Sequence, residues 1–119
     1  MPKTMEDLLS YNREWSERKR EENPDFFENL RYEQHPKYLW IGCADSRLPP
    51  NRLLGVDLGE LFVHRNVANL ALADDDNVQS VLHFGIKALK IEHVLLCGHY
   101  GCGGITAALN DSAFGPLVN

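Results

Sequence analysis

Two short stretches constrain this chain more than anything else in it: Cys43-Ala44-Asp45-Ser46-Arg47 and His99-Tyr100-Gly101-Cys102-Gly103-Gly104. Each follows a short apolar run that reads as a buried strand, Tyr38-Leu39-Trp40-Ile41 in the first case and Val94-Leu95-Leu96-Cys97 in the second. Together they supply two thiols, one imidazole and one carboxylate, a donor set that suits a tetrahedral Zn²⁺. A lone H-x-x-C is a weak signal. Joined to C-x-D-x-R behind a second strand, it becomes a strong one.

The intervening chain offers a way to bring the two stretches together. Tyr38 to Gly42 is nearly all apolar, as expected of a strand covered on both faces. Leu61 to Arg65 reads as a second strand, opened by Gly59-Glu60 and closed by Asn66. Val78, Val81, Leu82, Gly85, Ile86 and Leu89 recur with helical spacing behind Asp74-Asp75-Asp76, whose charges suit the positive end of a helix dipole. His93 to Cys97 is a third strand, and Cys102 to Leu109 starts a further helix. Strand, helix, strand predicts a βαβ unit with parallel strands and right-handed crossovers. Ligands of such sheets bind beyond the carboxyl ends of the strands, where Cys43 and His99 both fall. If the first and third strands are neighbours, the two stretches meet.

Upstream, Thr4 to about Glu22 reads as a helix, capped by Thr4 with Asp7 in the capping-box position. Leu8, Tyr11 and Trp15 share one face, and after Trp15 the segment is almost wholly charged. This pattern suggests an arm that docks on another subunit, with intramolecular packing as the alternative. Asn23-Pro24 is expected to restart a helix, with Asn23 as cap and Pro24 at the first position. His35-Pro36 breaks it. Pro49-Pro50 predicts a loop or one short turn, and Asn51 to Gly59 has no clear period. Past Leu109 the sequence thins into Asn110-Asp111-Ser112 and Gly115-Pro116. The expected organisation is one α/β domain over 1–119, a helical arm over 1–35 and a zinc-binding core over 36–119.

Composition narrows the function classes. A net charge of −5 gives no pull toward nucleic acid or anionic lipid. The basic run Arg18-Lys19-Arg20 is flanked by glutamates, as on a solvated helix face. There is no apolar leader, and no apolar run approaches the roughly 20 residues of a membrane span, so the chain reads as cytoplasmic. Three cysteines are an odd number and no disulfide framework. Around a histidine they read as metal ligands.

Cys43, His99 and Cys102 make three firm ligands. The fourth place falls to Asp45 or to water. With Asp45 bound, the site is closed and structural; with Asp45 turned away, a water can be activated. Arg47 gives that carboxylate an alternative partner. Two thiolates would raise the pKa of bound water, favouring alkaline pH. Cys97 reads as a core cysteine, and His64, His83 and His93 as ordinary histidines. The glycine-rich turn lacks the lysine of a phosphate loop.

Along C-A-D-S-R, G-E-L-F-V-H-R-N-V-A-N and C-G-H-Y-G-C-G-G, in that order, the chain resembles the β-class carbonic anhydrases. The resemblance runs from Asn23 to Leu109, and the N-terminal helix fits it too. It implies reversible hydration of carbon dioxide to bicarbonate and a proton by zinc-bound hydroxide. It assigns zinc to Cys43, His99 and Cys102, and a catalytic dyad to Asp45 and Arg47. Gln34, Phe62 and Val67 match substrate-pocket positions, some of which serve a neighbouring subunit, and the N–H of Gly103 matches a substrate contact. Phe84 stands where many members carry a tyrosine. Trp40 and Arg65 match two residues of a bicarbonate regulatory pocket found in some members; the plainer reading is a core tryptophan and a surface arginine. A homodimer or higher homo-oligomer is implied.

Members of this family are commonly much longer, so the C-terminal half is expected to be absent and one sheet face and edge left uncovered. Two other functions are compatible with the residues: a catalytically silent zinc-stabilised fragment or assembly module, and a related hydrolase of CS₂ or COS.

Overall fold

The computed structural model describes residues 2–110; Asp111-Ser112 and Gly115-Pro116 lie outside the described residues. The chain divides into two compact units, one ending at Gln34 and one starting at His35.

The first unit is helical. α1 spans Met5–Glu22 and opens on the expected capping box, in which Thr4 Oγ1 accepts the Asp7 N–H at 3.1 Å and an Asp7 carboxylate oxygen accepts the Thr4 N–H at 2.9 Å. Trp15 packs edge-on against Phe27, with ring centroids 5.8 Å apart, and Phe27 packs edge-on against Phe26. Arg20 and Lys19 lie over these two phenylalanine rings. The second helix starts later than expected: α2 spans only Phe26–Leu30. Asn23 closes α1 instead of capping α2, and its carboxamide accepts the Asp25 N–H at 3.1 Å in a local turn.

The second unit is a three-stranded parallel sheet with helices around it. β1 is Tyr38–Cys43, β2 is Leu61–Asn66 and β3 is His93–Cys97, in the order β2-β1-β3. Tyr38 pairs with Leu61 on one side and His93 on the other, so all three strands start level. β1 is the centre, and every residue in it except Tyr38 is buried. Alternation splits its side chains between two layers. Leu39 and Ile41 join Ile91 in one, packed on by Phe62, Val81, Leu82 and Leu89. Trp40 lies with Gly42 on the opposite face, its indole over that glycine.

The crossover helices show how local chemistry sets boundaries. α3, Pro50–Leu54, forms inside the stretch without a clear period; Pro50 starts it and Gly55, at φ 65°, ends it. α4, Asp76–His83, is capped by Asp75, whose carboxylate accepts the N–H groups of Asn77 and Val78. It continues as a π-helical turn over Phe84–Ala88, with the Leu89 N–H reaching back to the Phe84 carbonyl. The extra residue in that turn shifts the phase of the apolar stripe. Gly85 faces the core against Ile91 and Ile86 turns outward, 45% exposed, against the simple periodicity. α5 is Gly103–Leu109, with Cys102 as its cap.

β3 departs from the reading of its apolar run as a buried strand and agrees with the expectation of an uncovered sheet face and edge. Val94, Leu95 and Leu96 are all exposed, Leu96 by 59%. Among the described residues β3 pairs on one side only, and its faces lack the cover that keeps β2, the other rim strand, half-buried. Among the described residues, no helix is long and apolar enough to cross a membrane.

Candidate metal centre

The site forms where β1 and β3 end. They are adjacent and parallel, with Gly42 level with Cys97, so the chain beyond each emerges on the same edge of the sheet. β1 ends on Cys43, the turn after β3 carries His99, and α5 begins at Cys102. Gly101, at φ 66°, makes the backbone reversal that returns Cys102 toward Cys43.

Both cysteines are buried, and their sulfurs lie 3.9 Å apart, far beyond a disulfide bond. The ligand atoms of Cys43, His99 and Cys102 all lie within 4.8 Å of one another. The His99 side chain is only 7% exposed. Its Nδ1 is 2.9 Å from the Tyr100 carbonyl, which can only accept, so Nδ1 carries the proton. That leaves the Nε2 lone pair free, and Nε2 is buried without a hydrogen-bond partner. A buried, unpartnered imidazole nitrogen facing two buried sulfurs is the arrangement expected of a metal-ligand set.

Burial pushes the Cys43 thiol up, but hydrogen bonding from the Asp45 backbone and the Ala68 N–H, together with the neighbouring His99 and Cys102 side chains, outweighs it. The balance brings the thiol from its ordinary 9.0 down to about 7. A ligand that must bind as thiolate is thereby half-prepared near neutral pH.

Asp45 stands outside this set of three. Its carboxylate takes the Arg47 guanidinium in a two-point pair, from Nε at 2.9 Å and from a terminal nitrogen at 2.7 Å, plus the Arg47 N–H at 2.9 Å. These bonds hold its carboxyl well below the usual carboxylate range. One Asp45 oxygen is still 3.9 Å from His99 Nε2. Of the two alternatives left open above, this structure has the carboxylate turned to Arg47. The same arginine donates to the Gly101 carbonyl at 3.2 Å, tying the two site loops together.

The other expected site residues are placed as follows. Phe62 is half-buried against the core and 5.8 Å from the Phe84 ring. Val67, 63% exposed, and Gly103, also exposed, lie near the metal-ligand set: Val67 precedes Ala68, and Gly103 follows Cys102. Gln34 is exposed and belongs to the first unit. Trp40 is 5% exposed, a core tryptophan whose Nε1 has no partner. Arg65 is not a free surface arginine: its guanidinium donates to the Cys43 carbonyl at 2.8 Å and the Asp45 carbonyl at 2.5 Å. Cys97 is half-buried at the strand end and apart from the metal-ligand set.

Sequence reading did not foresee that the loop after β2 touches Cys43. The Ala68 N–H lies 3.4 Å from Cys43 Sγ, and Asn66 anchors that loop. In the sequence it shows as the N-V-A-N end of a family motif and an Asn at a strand end, neither of which says that the loop reaches Cys43.

Comparison with known proteins agrees with this geometry. Residues 38–118 match the carbonic anhydrase family model. A curated carbonic anhydrase of Emericella nidulans is 43% identical over 117 residues, covering 98% of this chain and 51% of its own length. One of two tetrameric β-carbonic anhydrases of the filamentous ascomycete Sordaria macrospora superposes with a TM-score of 0.89 at 43% identity, over 93% of this chain and 56% of that one. The β-carbonic anhydrase CafA of Aspergillus fumigatus gives 0.87 at 41% identity, over 92% of this chain and 53% of that one. The chain spans about half the length of the relatives it matches. With a family model over most of its length, a Cys-His-Cys cluster at the strand ends and an Asp–Arg pair beside it, the chain belongs to the β-class carbonic anhydrases.

Proposed function

We propose that this chain carries the zinc site of an enzyme that reversibly hydrates carbon dioxide to bicarbonate and a proton. One observation carries the reading: the unpartnered His99 Nε2 faces two buried sulfurs, with a carboxylate held ready 3.9 Å away by Arg47. The 3.9 Å between the sulfurs is close to the tetrahedral edge of about 3.8 Å that Zn–S bonds of about 2.3 Å would span. Zn²⁺ in this site would supply Lewis-acid activation of a water.

The chain's own residues do the rest. Cys43, His99 and Cys102 hold the ion. Asp45, kept ionised and aimed by Arg47, accepts a hydrogen bond from the nucleophile and sets its direction. Arg47, fixed at the Gly101 carbonyl, keeps that carboxylate off the metal. By family resemblance Phe62 and Val67 belong to substrate pockets, some of them a neighbouring subunit's, where apolar side chains suit an uncharged linear substrate. The Gly103 N–H is assigned to substrate contact by family resemblance, and Gln34 matches a pocket position of the kind that can serve a neighbouring subunit's site. The tetrameric assembly of the Sordaria relatives supports a homo-oligomer, and the apolar stripe on α1 supports an arm that docks on a second copy. We assign the protein to the cytoplasm.

The test is carbon dioxide hydration by the zinc-loaded 119-residue chain at about pH 8.5, where a thiolate-rich site favours the reactive form. A rate well above buffer that a zinc chelator removes supports the proposal. The exposed β3 favours a second reading, a zinc-stabilised module without turnover. Stoichiometric zinc with no rate selects it.

A further inference from the structure

We propose that Asn66 is a positioning residue for the Cys43 sulfur, acting through the loop it closes. The inference rests on the metal-site reading above and adds to it a residue that never touches the metal.

Asn66 is the last residue of β2, level with Cys43 across the sheet. Its main-chain carbonyl accepts the Ala44 N–H at 2.7 Å, which ties it to the residue after the ligand. Its side chain turns to the loop that follows. Oδ1 accepts the Leu70 N–H at 2.6 Å, and Nδ2 donates to the Leu70 carbonyl at 2.7 Å. Both polar groups of one residue are thus held by both ends of one carboxamide, which closes the loop 66–70 into a ring. Nδ2 also lies 3.1 Å from His64 Nε2, which fixes the amide's orientation.

The ring forces an unusual backbone. Ala68 and Asn69 have φ of 71° and 48°, a region that side chains disfavour and that persists only where the surroundings determine it. In that conformation the Ala68 N–H points at Cys43 Sγ, 3.4 Å away. Ala68 itself is 5% exposed. α5 presses on the loop from the other side. A Cβ on Gly104 would lie 2.6 Å from a Val67 methyl and 2.9 Å from Ala68 Cβ, so only glycine lets the loop and helix approach this closely. An amide held on a thiolate withdraws charge from sulfur and orients its lone pairs. Such outer contacts commonly set affinity and electronic character at metal sites.

The alternative is a plain turn cap that contributes stability alone. The experiment compares wild type with Asn66→Ala, Asn66→Asp and Gly104→Ala. Zinc affinity is read by chelator competition, the sulfur-to-cobalt charge-transfer band is read in cobalt-substituted protein, and amide exchange is read in metal-free protein. For Asn66→Ala we expect zinc affinity to fall by about 10- to 100-fold. The charge-transfer band should move to lower energy, because a sulfur without its amide donor is more electron-rich. The Ala68 amide should lose protection while those of Leu39 and Ile41 keep theirs. Asn66→Asp, which keeps the acceptor for Leu70 and loses the donor, should fall between. Gly104→Ala should reproduce the band shift by displacing the loop from the helix side, and it serves where Asn66→Ala does not fold. Wild-type affinity and band position in all three variants, with only a lower Tm, would overturn the assignment. A wild-type chain that takes up no metal overturns the zinc reading itself and the positioning role of Asn66 with it.

Discussion

Arg47 grips Asp45 with two parallel guanidinium–carboxylate bonds, at 2.9 Å and 2.7 Å, and anchors the pair to the Gly101 carbonyl. Two residues apart in sequence, they face each other because the chain turns after β1; the Arg47 N–H also bonds back to Asp45. In the proposed function this pair decides whether the carboxylate serves the metal or the substrate.

Arg47→Ala removes both contacts. The Asp45 carboxyl, now held well below the usual range, should return toward an ordinary value of about 3.9. The variant should keep its zinc and lose about 10²- to 10⁴-fold in hydration rate, as should Asp45→Ala. Carboxyl titration by NMR and stopped-flow rates at about pH 8.5 check this. A wild-type rate in Asp45→Ala would remove the dyad role.

Cys43→Ala and His99→Ala should each abolish stoichiometric metal binding, since each leaves a two-ligand site. Metal analysis after dialysis reads the result. Full zinc occupancy in either variant would refute the ligand set.

The metal-free chain should be more stable at pH 9 than at pH 6. Burial raises the Cys43 thiol and its hydrogen bonds lower it further, to about 7 from 9.0, so the folded state holds the thiolate better than the unfolded chain does. That stability is fully present above the unfolded thiol's range and is lost as pH falls through about 7. Thiolate absorbance near 240 nm and thermal melts follow it. Cys43→Ala should flatten the pH dependence, and zinc affinity of the wild type should weaken below pH 7 because protons compete for the sulfur.

Gly42→Ala should destabilise the fold by about 1–3 kcal/mol. A Cβ there would lie 2.3 Å from Trp40 Nε1, inside the packed central strand. Denaturant melts monitored by tryptophan fluorescence report both the loss and the displaced ring.

Leu96→Lys should reduce self-association at micromolar concentration. Leu96 is 59% and Val94 44% exposed on a rim strand, a surface prone to pair with another chain. Sedimentation velocity of the two proteins makes the comparison, and equal association would place the contact elsewhere.

The sequence by itself determined the three strands nearly to the residue, the capping box at Thr4, and which residues meet at the strand ends: Cys43, His99 and Cys102, with Asp45 and Arg47 beside them. Apolar runs, capping residues and metal-ligand spacings are local, and local patterns survive translation into structure. It missed the late start of α2, because Asn23 and Pro24 suit a turn as well as a helix start. It put Ile86 on the core face, because the π turn breaks a period that composition cannot show. It read the apolar run of β3 as buried while also expecting an uncovered face and edge, because an apolar run does not record what packs on it. Tertiary structure alone decided that β1 and β3 lie side by side, that Arg47 reaches the Gly101 carbonyl while His99 Nε2 stands unpartnered, and that a left-handed alanine carries its N–H to Cys43. Each is a contact between residues distant in sequence or a backbone angle imposed by packing. Such relationships are set by the assembled chain, so no single stretch records them.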